Sequence, residues 1–110
     1  DLKGKGLGGI LMAKLIAHCR ARGVGELRGE TFADNSKMLK MARALGFRLM
    51  LGCMIESSLG IAAAVAVAPL YDWLDLDGNL LVANDPWKGL ALKDGRWDLP
   101  SGPGLGVVPA

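Results

Sequence analysis

The sequence has few of the residues that build metal centres or disulfide frameworks. It contains two cysteines and one histidine in 110 residues. Neither Cys19 nor Cys53 lies at a metal-ligand spacing from His18 or from the other cysteine. We expect both cysteines to be buried and reduced, as is typical of cytoplasmic proteins. These scarcities exclude a zinc module and a small secreted domain held together by disulfides.

Long apolar runs and aromatic residues are also scarce. The longest apolar run, residues 59–70, is alanine-rich and too short to span a bilayer, and no signal peptide is recognisable. Aromatic residues make up 5% of the chain, and we expect its three tryptophans to be packing groups rather than platforms for bases. The sequence therefore predicts a cytoplasmic protein with no membrane or nucleic-acid partner. Because the chain begins at Asp1 rather than Met, we expect a longer parent or a processed chain.

Charge is distributed unevenly along the sequence. Residues 1–48 hold ten Lys or Arg against four Asp or Glu, whereas residues 49–110 hold three against seven. The net charge of +2 hides this reversal. A change of sign at one point indicates two segments of different origin, or one domain with two charged faces.

The order of periodic segments predicts an α/β fold. Apolar residues recur at helical spacing in residues 9–22 and 37–45, and a third helix is expected from Ser57 or Ser58 to Pro69. Strands are expected at residues 24–32, 47–56 and 71–76, and Asp94-Gly95 indicates a hairpin turn. We predict a small mixed or parallel sheet with two to three helices, whose exposed edges favour a homodimer.

The stretch "KGKGLGG", residues 3–9, places glycines and lysines where a helix begins. Backbone N–H groups and the positive end of the helix dipole bind phosphate at such a position, and glycine allows an anion to approach closely. A glycine-rich turn before a helix is also often only a turn. The motif by itself leaves both readings open.

The residues around this loop extend the pattern. Lys3, Gly6 and Gly8 are followed by a helix, an expected strand, Asn35 at the start of the next helix, and Leu-Gly-Phe at 45–47. In this order and spacing residues 1–49 resemble the C-terminal half of the GNAT family of N-acetyltransferases. The resemblance implies an acyl-CoA-binding segment, with acetyl-CoA or another acyl-CoA as cofactor. The implied contacts are Lys3, Gly4, Lys5, Gly6, Leu7, Gly8, Gly9 and Asn35.

Two of these positions leave the GNAT interpretation incomplete. Asn35 is equally well explained as a plain helix cap. Ala42 stands where many members of the family have the tyrosine that protonates the leaving thiolate, so the resemblance supplies no catalytic residue.

The second half of the chain carries three different motifs. They are "GCMIESS" at 52–58, "DLDG" at 75–78 and "LPSGPGLGV" at 99–107. With them, residues 50–107 resemble the end of the barrel domain of enolase-superfamily dipeptide epimerases, of the L-Ala-D/L-Glu type. The resemblance implies that residues 50–110 are the last β/α units of such a barrel. It implies substrate contacts at Met54, Glu56, Asp75 and Asp77, the two aspartates holding the α-ammonium group of a dipeptide. The alternative for the aspartates is a solvated turn.

The two resemblances together predict an incomplete chimera without turnover of its own. Epimerisation needs bases and a metal beside the reacting carbon. In the epimerase family the lysine bases and the acidic Mg²⁺ ligands lie on strands that this sequence does not contain, and Lys88 and Lys93 lie in other segments. Magnesium is therefore expected only in a complete epimerase parent. The alternatives are a fragment of a longer functional acetyltransferase or epimerase, and a purely structural or designed fusion.

Overall fold

The computed structural model describes residues 4–98 and 101–110, and the chain folds as two compact units that meet in sequence between Phe47 and Arg48. The first unit contains α1 (Leu7–Ala21) and α2 (Ser36–Ala44). The second contains β1 (Met50–Gly52), α3 (Ser58–Val67), β2 (Trp73–Asp75), β3 (Trp87–Lys88), β4 (Ala91–Lys93), β5 (Arg96–Asp98) and β6 (Val108–Pro109). Short 3₁₀ turns occupy Ala68–Leu70 and Gly78–Leu81. The predicted α/β class and the three helices are confirmed.

The helices of the first unit begin and end within two residues of the predicted segments 9–22 and 37–45. Helix α1 is followed by Gly23, and α2 by Gly46, and both glycines have the positive φ that lets a chain leave a helix. Asn35 caps α2 by accepting a hydrogen bond from the backbone N–H of Met38 at 3.2 Å. Met38, Leu39, Met41 and Ala42 of α2 are half-buried, and no described side chain of residues 4–47 is fully buried.

The strand predicted at residues 24–32 is wrong. This segment is extended but pairs with no strand in the described part of the chain. Its sequence explains the difference, because Gly25 and Gly29 weaken a strand and Leu27 is the only half-buried side chain. Glu26 and Arg28 lie on the same side of the extended backbone and form an exposed ion pair at 2.8 Å, which contributes little to stability.

A β1–α3–β2 arrangement forms the centre of the second unit. Strands β1 and β2 are parallel, with Met50 opposite Trp73, Leu51 opposite Leu74 and Gly52 opposite Asp75. Both strands are shorter than the sequence predicted. The backbone N–H of Leu49 donates to a carboxylate oxygen of Asp72 at 2.7 Å, which ties the entry of one strand to the entry of the other.

Helix α3 supplies the core of this unit. Ile61, Val65 and Leu76 are buried together, with Leu51, Cys53, Ala64, Leu90 and Trp97 packed around them. The indole N–H of Trp97 donates to the carbonyl oxygen of Leu76 at 3.0 Å, so the outlying hairpin is attached to the core by a directed contact. Pro69 stops α3 at Val67, as predicted, because proline cannot continue the hydrogen-bond ladder.

Two antiparallel pairs complete the second unit. Strands β4 and β5 form the predicted hairpin, and Asp94 and Gly95 both have positive φ, 49° and 74°, as a two-residue type I′ turn requires. The C-terminal tail contributes β6, whose Pro109 lies opposite Trp87 of β3. Proline is tolerated there because β6 is an edge strand.

Candidate functional site

The first candidate site is the N-terminus of α1. Gly4 and Gly6 both have φ = 80°, and Gly6 is the N-cap residue, with no side chain that caps the helix. The N–H groups of Gly9 and Ile10 donate to the carbonyl oxygen of Gly6, at 3.1 and 3.3 Å. Because the first N–H groups of a helix lack partners within it, those of Leu7 and Gly8 point towards the N-terminal end. No acidic residue lies in the first turn.

The predicted cofactor residues have different surroundings. Gly4, Lys5, Gly6, Leu7 and Gly8 are exposed at this helix end, Gly9 is half-buried, and Lys3 lies outside the described residues. A Cβ added at Gly8 would lie 3.9 Å from the Sδ atom of Met41 in α2, so small residues also let the two helices approach. Asn35 is the helix cap of α2, and its contact with a cofactor stays a prediction.

The second candidate site is the edge of the second unit where β1 and β2 end. Because the two strands are parallel, their carboxyl ends meet at the same edge, and Gly52 lies opposite Asp75. Asp75 and Asp77 both carry exposed side chains. The thiol of Cys53 donates to the Oδ1 atom of Asp77 at 3.9 Å, which links the segment after β1 to the segment after β2. We call the segments 52–56 and 75–77 the carboxylate edge.

The other two predicted residues of the carboxylate edge differ in exposure. Met54 is 83% exposed, so its side chain is available to a ligand. Glu56 is half-buried, and its carboxylate lies over Gly60 in the first turn of α3, where a Cβ would overlap it. The structure therefore brings Asp75 and Asp77 to one edge of the sheet, while Glu56 turns towards the start of the helix.

A polar network beside this edge was missed by sequence reasoning. The carboxylate of Asp85 accepts hydrogen bonds from the backbone N–H of Ser58 at 2.7 Å and of Trp87 at 3.0 Å. The Nδ2 atom of Asn79 donates to the hydroxyl oxygen of Ser58 at 3.0 Å. Ser58 lies 21 residues before Asn79 and 27 residues before Asp85, so no local sequence pattern would have identified these contacts. We call Ser58, Asn79 and Asp85 the serine network.

The serine network shifts the ionisation of its carboxylate. Hydrogen bonds from Ser58 and from the backbone N–H of Trp87 stabilise the charged form and hold the pKa of Asp85 below its ordinary value, while partial burial opposes the shift. Asp85 is thus a negatively charged acceptor at neutral pH that holds the N-terminus of α3.

The first unit also contains an open cleft of about 330 Å³. It is lined by one face of α1 around Ile16 and Cys19, by residues 24–27 and by residues 45–47, and none of these is a predicted ligand contact. Across residues 4–98 and 101–110, His, Cys, Asp and Glu side chains do not gather in threes where a metal ion would be held. No helix in those ranges has the length and apolar character needed to cross a membrane.

Residues 1–47 match the acetyltransferase (GNAT) family. This match covers the glycine loop, α1, the extended segment, α2 and the closing Leu-Gly-Phe.

Most of the chain is also similar to part of several dipeptide epimerases. The chain is 49% identical over 72 residues to an L-Ala-D/L-Glu epimerase of Bacteroides thetaiotaomicron, which is 66% of this chain and 19% of the relative. It is 48% identical over 95 residues to an L-Ala-D/L-amino acid epimerase of Pedosphaera parvula, 83% of this chain and 27% of the relative. An enzyme of the same name from Flavobacterium johnsoniae is 35% identical over 97 residues, 88% of this chain and 29% of the relative.

The coverage of these alignments has two consequences. The chain spans less than a third of the length of each of these relatives. Because Arg48–Ala110 comprises only 63 positions, an alignment of 72 residues includes at least nine positions of residues 1–47. The similarity to epimerases therefore overlaps the GNAT match instead of ending where it ends.

Both resemblances inferred from the sequence are confirmed: residues 1–47 carry the pattern of the GNAT acetyltransferase family, and most of the chain is similar to part of the dipeptide epimerases.

Proposed function

We propose that residues 48–110 supply the ammonium-binding part of a dipeptide site at the carboxylate edge. The observation that carries this proposal is the parallel pairing of β1 and β2, which sets Gly52 opposite Asp75. Asp75 and Asp77 follow at the carboxyl end of β2, and both are exposed. An ammonium group donates three hydrogen bonds and ionised carboxylates only accept them, so the two groups are chemically matched.

We propose further that this chain binds a dipeptide without epimerising it. Epimerisation removes a proton from carbon and needs a positioned base and stabilisation of the resulting charge. The two lysines of the second unit lie on β3 and β4, and the ammonium of Lys93 pairs with Asp98 at 2.8 Å. We therefore assign the binding step alone to this chain.

Calorimetric titration with L-Ala-L-Glu tests the proposal. We expect binding to weaken about tenfold or more in Asp75→Asn and Asp77→Asn, because each loses a charge-assisted hydrogen bond of roughly 1.5–3 kcal/mol. Asp94→Asn is the matched control, because it removes the same charge from the exposed hairpin turn. N-acetyl-L-Ala-L-Glu, which lacks the ammonium, should bind the wild-type chain and both variants equally weakly.

Two results would overturn the proposal. One is the absence of L-Ala-L-Glu binding at millimolar concentration. The other is equal weakening by Asp94→Asn, which would show a general charge effect. Epimerisation of L-Ala-L-Glu by the purified chain with Mg²⁺ would overturn the second part alone.

A second candidate function rests on the N-terminus of α1. Gly6 caps this helix without a side chain, the first turn carries no acid, and Lys5 is exposed beside it. Backbone N–H groups and the helix dipole there suit an anion such as the pyrophosphate of acyl-CoA. The match of residues 1–47 to the GNAT family supports this choice of ligand.

Calorimetry with CoA tests the second candidate. Gly6→Val should weaken CoA binding at least tenfold, because its side chain stands at the open N-terminal end of α1, where a Cβ meets nothing within 4 Å. Gly23→Val is the matched control, since Gly23 also has positive φ and an open Cβ position but follows the other end of the helix. Equal effects of the two variants, or no binding at millimolar CoA, would contradict this function.

A further inference from the structure

The turn that follows Asp77 packs directly against the segment that follows β1. Gly78 is buried, and a Cβ there would overlap the carbonyl oxygen of Met54 and lie 3.2 Å from the Sγ atom of Cys53. The same cysteine contacts the carboxylate of Asp77. The position of Asp77 therefore depends on how the 3₁₀ turn Gly78–Leu81 sits on residues 53–54.

One side chain of this turn is attached to the core. Asn79 donates from Nδ2 to the hydroxyl of Ser58, which is 6% exposed in the first turn of α3. The backbone N–H of Ser58 is held in turn by Asp85. Because α3 carries the buried Ile61 and Val65, Asn79 connects the turn to the buried core of the second unit.

Burying the amide of Asn79 costs free energy of folding, so stability alone does not explain an asparagine at this position. Its Oδ1 atom is buried and has no hydrogen-bond partner in the described part of the chain. A buried acceptor without a partner loses its hydration and gains nothing in return. An apolar side chain of similar size would avoid this cost and still fill the space.

We propose that Asn79 is a positioning residue for Asp77, acting through the 3₁₀ turn to hold that carboxylate at the carboxylate edge. The ligand affinity that depends on it rests on the proposed dipeptide function. The orientation of Asp77 is independent of the proposed dipeptide function, and it can be measured without a ligand.

The main variant is Asn79→Leu, which removes the hydrogen bond to Ser58 together with the unpaired oxygen. We expect its melting temperature to stay at or above that of the wild-type chain. We also expect the ¹³C resonance of the Asp77 carboxyl group to shift, and the Cys53 thiol to be alkylated several-fold faster by iodoacetamide, because its contact with Asp77 is lost. Binding of L-Ala-L-Glu should weaken about tenfold.

Ser58→Ala removes the acceptor from the other side and should give the same Asp77 shift, while Ser58→Thr keeps the hydroxyl and should restore the wild-type resonance. An unchanged Asp77 resonance and alkylation rate in Asn79→Leu would overturn the proposal. If Asn79→Leu does not fold, Ser58→Ala decides, and unfolding of both would show that the network is only structural. If the Asp77 resonance shifts but the wild-type chain binds no dipeptide, the positioning role holds and the dipeptide function fails.

Discussion

At the scale of single residues, close backbone approach makes Gly78, which directly follows the carboxylate edge, harder to replace than Gly52 within it. A methyl group there overlaps the carbonyl oxygen of Met54, and backbone on both sides must move. We expect Gly78→Ala to lower the free energy of unfolding by about 1–3 kcal/mol, the usual range for overpacking. Urea denaturation followed by tryptophan fluorescence measures this.

Gly52→Ala is the matched control for that experiment. Its Cβ would meet nothing within 4 Å, and Gly52 lies in β1, where alanine loses less conformational entropy than glycine. We expect it to be neutral or slightly stabilising. Equal destabilisation by both variants would mean that residues 53–54 and 78 are not in contact.

Asp85 predicts how stability responds to acid. The pKa of Asp85 is lowered in the folded state. The contribution of its ionised carboxylate to the free energy of unfolding is therefore fully present above the ordinary aspartate pKa of about 3.9, and it is lost as the pH falls through the lower folded pKa. Asp85→Asn lacks this titration. The difference in urea midpoint between the wild-type chain and Asp85→Asn should be constant near pH 6 and shrink below about pH 4. A difference that grows in acid would contradict the lowered pKa.

At the scale of elements, the β4–β5 hairpin depends on two residues with positive φ. Gly95→Ala places a Cβ in the left-handed region, at φ = 74°, and should cost about 1–2 kcal/mol. Asp94→Asn should be tolerated, because Asn-Gly is the preferred sequence of a type I′ turn. The indole N–H resonance of Trp97 reports the outcome, since that group donates to Leu76. An unperturbed resonance in Gly95→Ala would show that the turn is not of this type.

Elements fixed by local chemistry could be predicted from the sequence. The caps at Asn35, Gly23 and Gly46, the stop at Pro69 and the turn at 94–95 each follow from the conformational preference of one or two residues. The strand prediction at 24–32 is wrong because interleaved charged residues form a strand only where a neighbouring strand pairs with them, and none does so in the described residues.

Contacts between distant residues could not be predicted. The carboxylate edge was foreseen only in that Asp75 and Asp77 follow a strand, whereas Cys53 with Asp77 and the whole serine network depend on how β1, α3 and the 3₁₀ turn pack. Such contacts leave no spacing in the sequence, because the residues lie more than twenty positions apart.

At the scale of the whole molecule, the charge reversal near residue 48 coincides with the division into two compact units between Phe47 and Arg48. The similarity to epimerases extends past this division. The second unit has 63 positions, so an alignment of 72 residues includes at least nine positions of residues 1–47. Compactness and sequence similarity thus draw different boundaries. Residues just before Arg48 match the GNAT family and also align with an epimerase. No single residue therefore separates a GNAT-like segment from an epimerase-like segment.

The two units also differ in how their side chains are buried, which predicts a difference in local stability. Every buried side chain among the described residues lies in the second unit, and Ile61 is fully buried. Amides with few buried contacts around them exchange through local opening, whereas core amides exchange only on larger unfolding. We therefore expect the slowest hydrogen–deuterium exchange in α3 and much faster exchange in α1 and α2. Ile61→Ala, which should cost about 2–5 kcal/mol, should remove most of the protection of α3. Protection of α1 equal to that of α3 in the wild-type chain would contradict this ranking, because it would require a buried core that residues 4–47 do not show.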